Sequence, residues 1–239
     1  MVVKHEYFIG YQYIDADFKI KNSALLSMFE DLACIHGARA GDDLRSAPTV
    51  WLLTAYKVKI IRRPEYAERV VVSTWSRGMR GVFAFREFEV RNSAGELLVC
   101  ALSEWAHVFK ADGKPARVTP ELEKMYESEP EHSNFGGERI RVVRTAENGE
   151  QTYGFTVLGN LIDVNRHMNN VHYIEQAELA LPEEVLPELS ELSFEICYRK
   201  EIKYGERVRC FYAKDGDSHS VFIKSEDTET LHAQIKFLK

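Results

Sequence analysis

Tyr66-Ala67-Glu68-Arg69-Val70 in the first half of the chain is matched by Tyr204-Gly205-Glu206-Arg207-Val208 in the second. This pair decides the reading of the fold, because the surroundings of the two pentapeptides match as well. Upstream of the first lie the strand-like Tyr56 to Ile61 and then Arg62-Arg63-Pro64-Glu65; upstream of the second lie Ile196 to Lys200 and then Glu201-Ile202-Lys203. Further upstream, each half opens with a short alternating strand, within residues 6–20 and 151–167, that runs into a polar D-x-[DN] turn. The turns are Asp15-Ala16-Asp17-Phe18-Lys19 and Asp163-Val164-Asn165-Arg166-His167.

A helix is expected after each turn. In the first half, Asn22-Ser23 offers N-cap residues, Leu25, Met28, Phe29, Leu32 and Ile35 recur at helical spacing, and Gly37 is the expected stop. In the second, the helix is expected to start at Asn169-Asn170, with Val171, Ile174, Ala177 and Leu181 on one face before Pro182. Each half then ends in antiparallel strands: 70–77, 82–92 and 96–109, turning on Ser93-Ala94-Gly95, and 207–214, 218–225 and 230–238, turning on Asp215-Gly216-Asp217. One long helix per unit against a curved antiparallel sheet is an α+β pattern, and two in tandem make a double hotdog. Tyr56, Val58 and Ile60 are expected to face the helix. The expected domains are residues 1–125 and 151–239, joined by a linker over 126–150 with a short helix near Pro120–Tyr126.

Composition narrows the class. The net charge of −6 argues against a dedicated nucleic-acid binder. No apolar run approaches the roughly 18–20 residues that span a bilayer. The N-terminus has neither a signal-peptide nor a transit-peptide pattern, so the cytoplasm is the expected location. Cys34, Cys100, Cys197 and Cys210 lie in apolar stretches without ligand spacing, which reads as buried free thiols and no zinc site.

The second turn carries the candidate chemistry. Asp163, Asn165 and His167 alternate, so in an extended segment their side chains would converge beside a helix start. A helix start offers free N–H groups to an oxyanion. A capped turn explains the Asp and Asn equally well. The aligned residues Asp15, Asp17 and Lys19 lack the imidazole, as expected where one copy alone performs chemistry. Glu201 falls opposite Arg63 in the repeat and could reach the helix start, or could be a solvated surface charge.

The string Asp163-Val164-Asn165-Arg166-His167-Met168-Asn169-Asn170-Val171-His172-Tyr173-Ile174 resembles the D-x-N-x-H-x-N-N-x-x-Y-I motif of the acyl-acyl-carrier-protein thioesterases of plants and bacteria. Tyr198-Arg199-Lys200-Glu201 resembles that family's Y-R-R-E segment, and Val72-Ser73-Thr74-Trp75, Gly78-Met79-Arg80 and Ser103-Glu104-Trp105 match landmarks of its first domain. The resemblance implies a fatty acyl-carrier-protein hydrolase with catalysis in the C-terminal unit, at Asp163, Asn165, His167 and Glu201. It departs at Ile202, where the plant proteins usually have Cys, so a cysteine nucleophile is excluded at that position. The missing plastid transit segment fits a bacterial type.

On this reading His167 and Glu201 activate water, Asn165 holds the carbonyl or the water, and N–H groups near Asn169 and Asn170 complete an oxyanion site. Asp163 either supports the imidazolium or attacks as a nucleophile, and both roles stay open. No metal or cofactor is required, since phosphopantetheine arrives on the substrate. Met28 and Leu32 are either core or lining of an acyl tunnel. Arg62, Arg63, Arg199 and Lys200 are candidate docking residues for an acidic carrier protein. The alternatives are an acyl-coenzyme A hydrolase of the same fold, a hotdog dehydratase, and a non-catalytic acyl- or carrier-binding module. Monomer and homodimer both remain open.

Overall fold

Along Tyr56-Lys57-Val58-Lys59, alternation puts Tyr56 and Val58 on one face of a strand and two lysines on the other. Tyr56 and Val58 are fully buried, while Lys59 is exposed. The computed structural model of the protein describes residues 1–42, 45–138, 140 and 149–239. The chain divides into two compact units, Met1–Ile140 and Arg141–Lys239.

The first unit comprises β1 (Val3–Phe8), α1 (Asn22–Ala40), β2 (Thr49–Ile60), β3 (Arg69–Arg80), β4 (Phe83–Asn92), β5 (Leu97–Phe109) and the short α2 (Pro120–Met125). Its strands pair antiparallel in the order β1-β3-β4-β5-β2. Leu25, Met28, Phe29 and Leu32 of α1 are buried, and Phe29 stacks on Phe88 at 4.6 Å between ring centroids. The second unit comprises β6 (Glu150–Thr156), α3 (Asn170–Leu179), β7 (Ser193–Tyr198), β8 (Arg207–Asp215), β9 (Ser218–Ser225) and β10 (Leu231–Leu238). Its order, β6-β8-β9-β10-β7, repeats that of the first unit strand for strand. Each unit is a hotdog, and the chain is a tandem pair of them.

Three expectations need revising. α1 runs past Gly37 to end at Gly41, whose φ of 84° completes a left-handed cap in which Gly41 N–H donates to Ala38 O and Asp42 N–H to Gly37 O. Gly37 is instead a buried residue inside the helix, where a Cβ would make only ordinary contact with the Tyr126 hydroxyl. Cys34 is exposed, whereas the other three thiols are buried. A 3-10 segment over Glu183–Glu191, with Pro187 inside it, stands where no element was expected.

The segment expected to be a linker is in its first part bound to the first unit. Glu129 N–H donates to Ser76 O, and the Trp75 indole donates to His132 O at 2.7 Å while its ring stacks on the imidazole. Glu87, with no exposed side-chain surface, accepts from the Ser133 hydroxyl at 2.6 Å and Asn134 N–H at 2.7 Å and pairs with Arg77 at 3.0 Å. Phe135 packs against Cys100 and Leu102. Of the remaining linker residues, 139 and 141–148 lie outside the described residues.

Under α1 sits a buried cation. Arg86 donates to His36 Nδ1 at 2.7 Å and to Thr74 Oγ1 at 3.1 Å. A guanidinium has no lone pair, so His36 Nδ1 must accept and the imidazole is neutral. Burial first, and then the Arg86 charge, pull the His36 pKa from 6.5 down to about 3. The unfolded chain therefore takes up a proton here below about pH 6.5 that the folded chain refuses. The stability this contributes is complete above pH 6.5 and is lost as pH falls towards 3. Urea midpoints measured between about pH 7.5 and 5 should fall more steeply for the native sequence than for His36→Asn; equal slopes would contradict the assignment.

Candidate active site

The turn at Asp163–His167 is closed rather than extended. Asp163 N–H donates to His167 O at 2.9 Å, Arg166 N–H donates to Asp163 O at 3.0 Å, and Arg166 takes the left-handed φ of 64°. The Asp163 carboxylate is the hub: Oδ1 accepts from Asn165 N–H at 2.8 Å and His167 N–H at 3.3 Å, and Oδ2 accepts from the Asn165 amide at 3.1 Å. The three polar residues do come together, but through a carboxylate-centred turn rather than strand alternation.

The first unit builds the same turn. Asp15 Oδ1 accepts from Asp17 N–H at 2.9 Å and Lys19 N–H at 3.0 Å, Asp15 N–H donates to Lys19 O, and Phe18 takes a φ of 61°. Each turn docks on the strand-end segment of its own unit. Ile20 N–H donates to Pro64 O in the first, and Met168 N–H to Ile202 O in the second. The pairs Lys19 with Glu65 and His167 with Lys203 are equivalent antiparallel bridges. The repeat register is thereby an observed structural equivalence, and Glu201 stands at the place of Arg63.

The two places are used differently. Arg63 is 5 % exposed, and its guanidinium donates to Ile20 O and Asn22 Oδ1, both at 2.8 Å. It ties the start of α1 to its own unit and presents no charge for docking, which corrects the expectation for that residue. Glu201 is exposed, and continuing the antiparallel register from His167 and Lys203 sets it level with Asn169, on the His167 face. Neither the half-buried His167 ring nor the Glu201 carboxylate has a hydrogen-bond partner among the described residues.

At the start of α3, Asn169 is the N-cap, its side chain accepting from Val171 N–H at 3.1 Å. Its own N–H is committed to Leu161 O, which removes it as an oxyanion donor. The Asn170 N–H, in the first turn of the helix, has no partner among the described residues, while Asn170 O accepts from the Tyr198 hydroxyl. Tyr173 is a residue that spacing did not single out. It is 3 % exposed and packs edge-on against Tyr198. Burial raises its hydroxyl pKa most, and the charges of Glu201, Glu206 and Asp163 raise it further. The hydroxyl thus lies within the field of both Asp163 and Glu201.

The other candidates separate by exposure. Met28 and Leu32 are fully buried in the first unit. Arg62 pairs with Glu68 at 2.6 Å, while Arg199 and Lys200 are exposed. Ile202 is fully buried, as are Cys197 and Cys210 nearly so, so no thiol is presented at the turn.

Comparison with known proteins agrees with this architecture. The model of the acyl-acyl-carrier-protein thioesterase N-terminal domain matches residues 1–126, and that of the C-terminal domain matches 145–238. The chain is 24% identical over 215 residues to a chloroplastic acyl-acyl-carrier-protein hydrolase of Cuphea viscosissima, covering 84% of this chain and 51% of that one. It is 29% identical over 211 residues to a chloroplastic palmitoyl-acyl carrier protein thioesterase of Gossypium hirsutum, covering 79% and 49%. It spans about half the length of these curated relatives. Among solved structures, an acyl-carrier-protein thioesterase from Bacteroides thetaiotaomicron superposes with a TM-score of 0.85 at 21% identity, covering 99% of this chain and 97% of that one. A 12:0-acyl-carrier-protein thioesterase from Umbellularia californica gives 0.83 at 16% identity, covering 99% and 96%. These likenesses establish the fold.

The role found for Arg63 is open to a stability measurement. Arg63→Ala leaves Ile20 O and Asn22 without their charged donor and should lower unfolding stability by about 2 kcal/mol. An unchanged urea midpoint would show that the guanidinium does not anchor α1.

Proposed function

The chain belongs to the acyl-acyl-carrier-protein thioesterase family, and from that premise we propose that it hydrolyses fatty acyl thioesters of acyl carrier protein to free fatty acid and holo-carrier protein. One observation carries the assignment of the site. The same carboxylate-closed turn occurs in both units, and the second differs from the first by Asn165 for Asp17, His167 for Lys19 and Glu201 for Arg63. A turn needed only for folding is already satisfied by the first set, so the second set is the one selected for chemistry.

His167, whose ring nitrogens have no partner among the described residues, takes a proton from water, and Glu201 on the same face orients that water or stabilises the imidazolium. The water oxygen adds to the thioester carbonyl carbon. The oxyanion is met by the Asn170 N–H and the field of α3. As the intermediate collapses, the carbon–sulfur bond breaks and His167 returns the proton to the departing pantetheine sulfur. Asp163 positions rather than attacks. Its carboxylate already accepts from two backbone N–H groups and the Asn165 amide, and Asp15 does the equivalent backbone work in a turn without a histidine. Phosphopantetheine comes with the substrate, so no resident cofactor is invoked. Met28 and Leu32 keep the acyl-tunnel reading in the first unit; Arg199 and Lys200 in the second, and the ion-paired Arg62 in the first, keep the docking reading. Among the described residues no helix is long and apolar enough to cross a membrane, and a cytoplasmic enzyme remains the reading we favour.

Free-thiol release from acyl-carrier protein should fall by roughly 100-fold or more in His167→Ala and in Glu201→Ala. Near-native turnover in both would remove the mechanism. Under single turnover in labelled water, no isotope should enter the Asp163 carboxylate; its appearance there would establish the covalent route instead. Activity on carrier-bound substrate should decline with salt more steeply than activity on the same acyl group carried by coenzyme A, and Arg199→Ala with Lys200→Ala should flatten that difference. Equal salt dependence on the two carriers would argue against electrostatic docking.

A further inference from the structure

Glu201 follows a turn that is held from below by one buried histidine. His232, 1 % exposed, lies at a bulge in β10, where the pairing to β9 slips between Leu231 and Ala233. Its carbonyl accepts from Arg199 N–H at 2.7 Å and from Lys200 N–H at 3.3 Å. Its ring Nδ1 lies 3.1 Å from Lys200 O, and its Nε2 lies 2.7 Å from Ser225 Oγ and 4.0 Å from Glu206 Oε2. A carbonyl oxygen can only accept, so Nδ1 carries a proton, and in the neutral ring Nε2 accepts the Ser225 hydroxyl proton. Backbone and side chain of one residue thus grip Arg199 and Lys200, directly before Glu201.

The first unit provides the control. Its corresponding bulge, where the β4–β5 pairing slips, leaves out Leu98, and Leu98 O accepts from Ile61 N–H at 3.0 Å and Arg62 N–H at 3.1 Å. The two main-chain bonds are therefore common property of the fold, and a buried leucine suffices where the following residue is Arg63. A histidine occupies the position only in the unit where that residue is Glu201. Arg63 is fixed by its own bonds into α1, whereas Glu201 has no partner among the described residues and depends on its backbone for its aim.

We propose that His232 is a positioning residue for Glu201, its Nδ1–H to Lys200 O bond fixing the peptide from which the carboxylate projects, with Ser225 holding the ring in the tautomer this requires. The inference rests on the catalytic reading of Glu201 given above. Bulges often serve to re-aim a side chain beside a site. A misplacement of about 1 Å is enough to cost on the order of 100-fold in rate.

The test is a double-mutant cycle on the full chain with acyl-carrier-protein thioester as substrate. His232→Leu copies the first unit and is expected to fold, with kcat reduced by roughly 10-fold to 100-fold and KM little changed. His232→Asn, whose amide reaches the place of Nδ1, should keep most of the activity, and Ser225→Ala should give a smaller loss than His232→Leu. In a Glu201→Gln background, His232→Leu should add little further loss. A native kcat in folded His232→Leu, or an equal fold-loss in the native and Glu201→Gln backgrounds, would overturn the proposal, because a purely structural role would act in both. Native turnover in Glu201→Gln itself would bring down the catalytic reading of Glu201 and this inference together. Impairment in Glu201→Gln without impairment in His232→Leu would bring down this inference alone.

Discussion

A carboxylate accepting the backbone N–H groups two and four residues ahead is the interaction on which each unit turns. Asp15 and Asp163 both do this, and both closures force the residue just before the bonded oxygen's partner, Phe18 or Arg166, into left-handed backbone. For a side chain other than glycine that conformation costs roughly 1–2 kcal/mol, and the charge-assisted bonds to the carboxylate offset it. Closing the turn brings residue 20 or 168 against the strand-end segment of the same unit and sets the direction in which the helix leaves. The helix axis, the capping residue and the neighbouring acid or base all take their places from that closure.

Because the scaffold is duplicated, its two copies separate what the fold requires from what is free to differ between the units. The backbone bonds of the turns, the bridges to Glu65 and Lys203, and the bulge carbonyls of Leu98 and His232 are shared. The side chains placed on them diverge. In the first unit the variable positions are used for cohesion, with a buried arginine bonded to the start of its helix. In the second, the His167 imidazole and the Glu201 carboxylate have no hydrogen-bond partner among the described residues. A buried Arg63 and an exposed Glu201 at equivalent places illustrate how a duplicated fold keeps its stability in one copy while the other carries groups that contribute little to it.

Two buried charges in the interior of the first unit are matched locally. Glu87 is enclosed by Arg77, Ser133 and Asn134 from the segment that crosses its sheet, and Arg86 is met by neutral acceptors under α1. Buried charges satisfied in this way contribute modestly to stability, yet they are costly to disturb. They make residues 129–138 part of the first unit, with no counterpart required by the repeat.

Much was legible in the amino-acid sequence alone. Hydrophobic period separated helix from strand, the Tyr-[Ala/Gly]-Glu-Arg-Val pair exposed the duplication, and the D-x-N-x-H turn marked the candidate site, because these depend on local periodicity and on residue types that suit tight turns. The end of α1 was misread at Gly37 because a glycine buried inside a helix looks the same in sequence as one that stops it, and the left-handed cap is at Gly41. Arg63 was misread because a charged residue's burial depends on partners far along the chain, here Ile20 and Asn22. Tyr173 and His232 escaped notice for the same reason: their bearing on the site runs through Ile202, Lys200 and Glu201, on other elements. The sequence by itself determined which segments are helix or strand, that the unit is duplicated, and where the candidate turn stands. Only the tertiary structure decided which of its polar groups are bound and which are left free to act, since that is settled by contacts between residues that no local pattern connects.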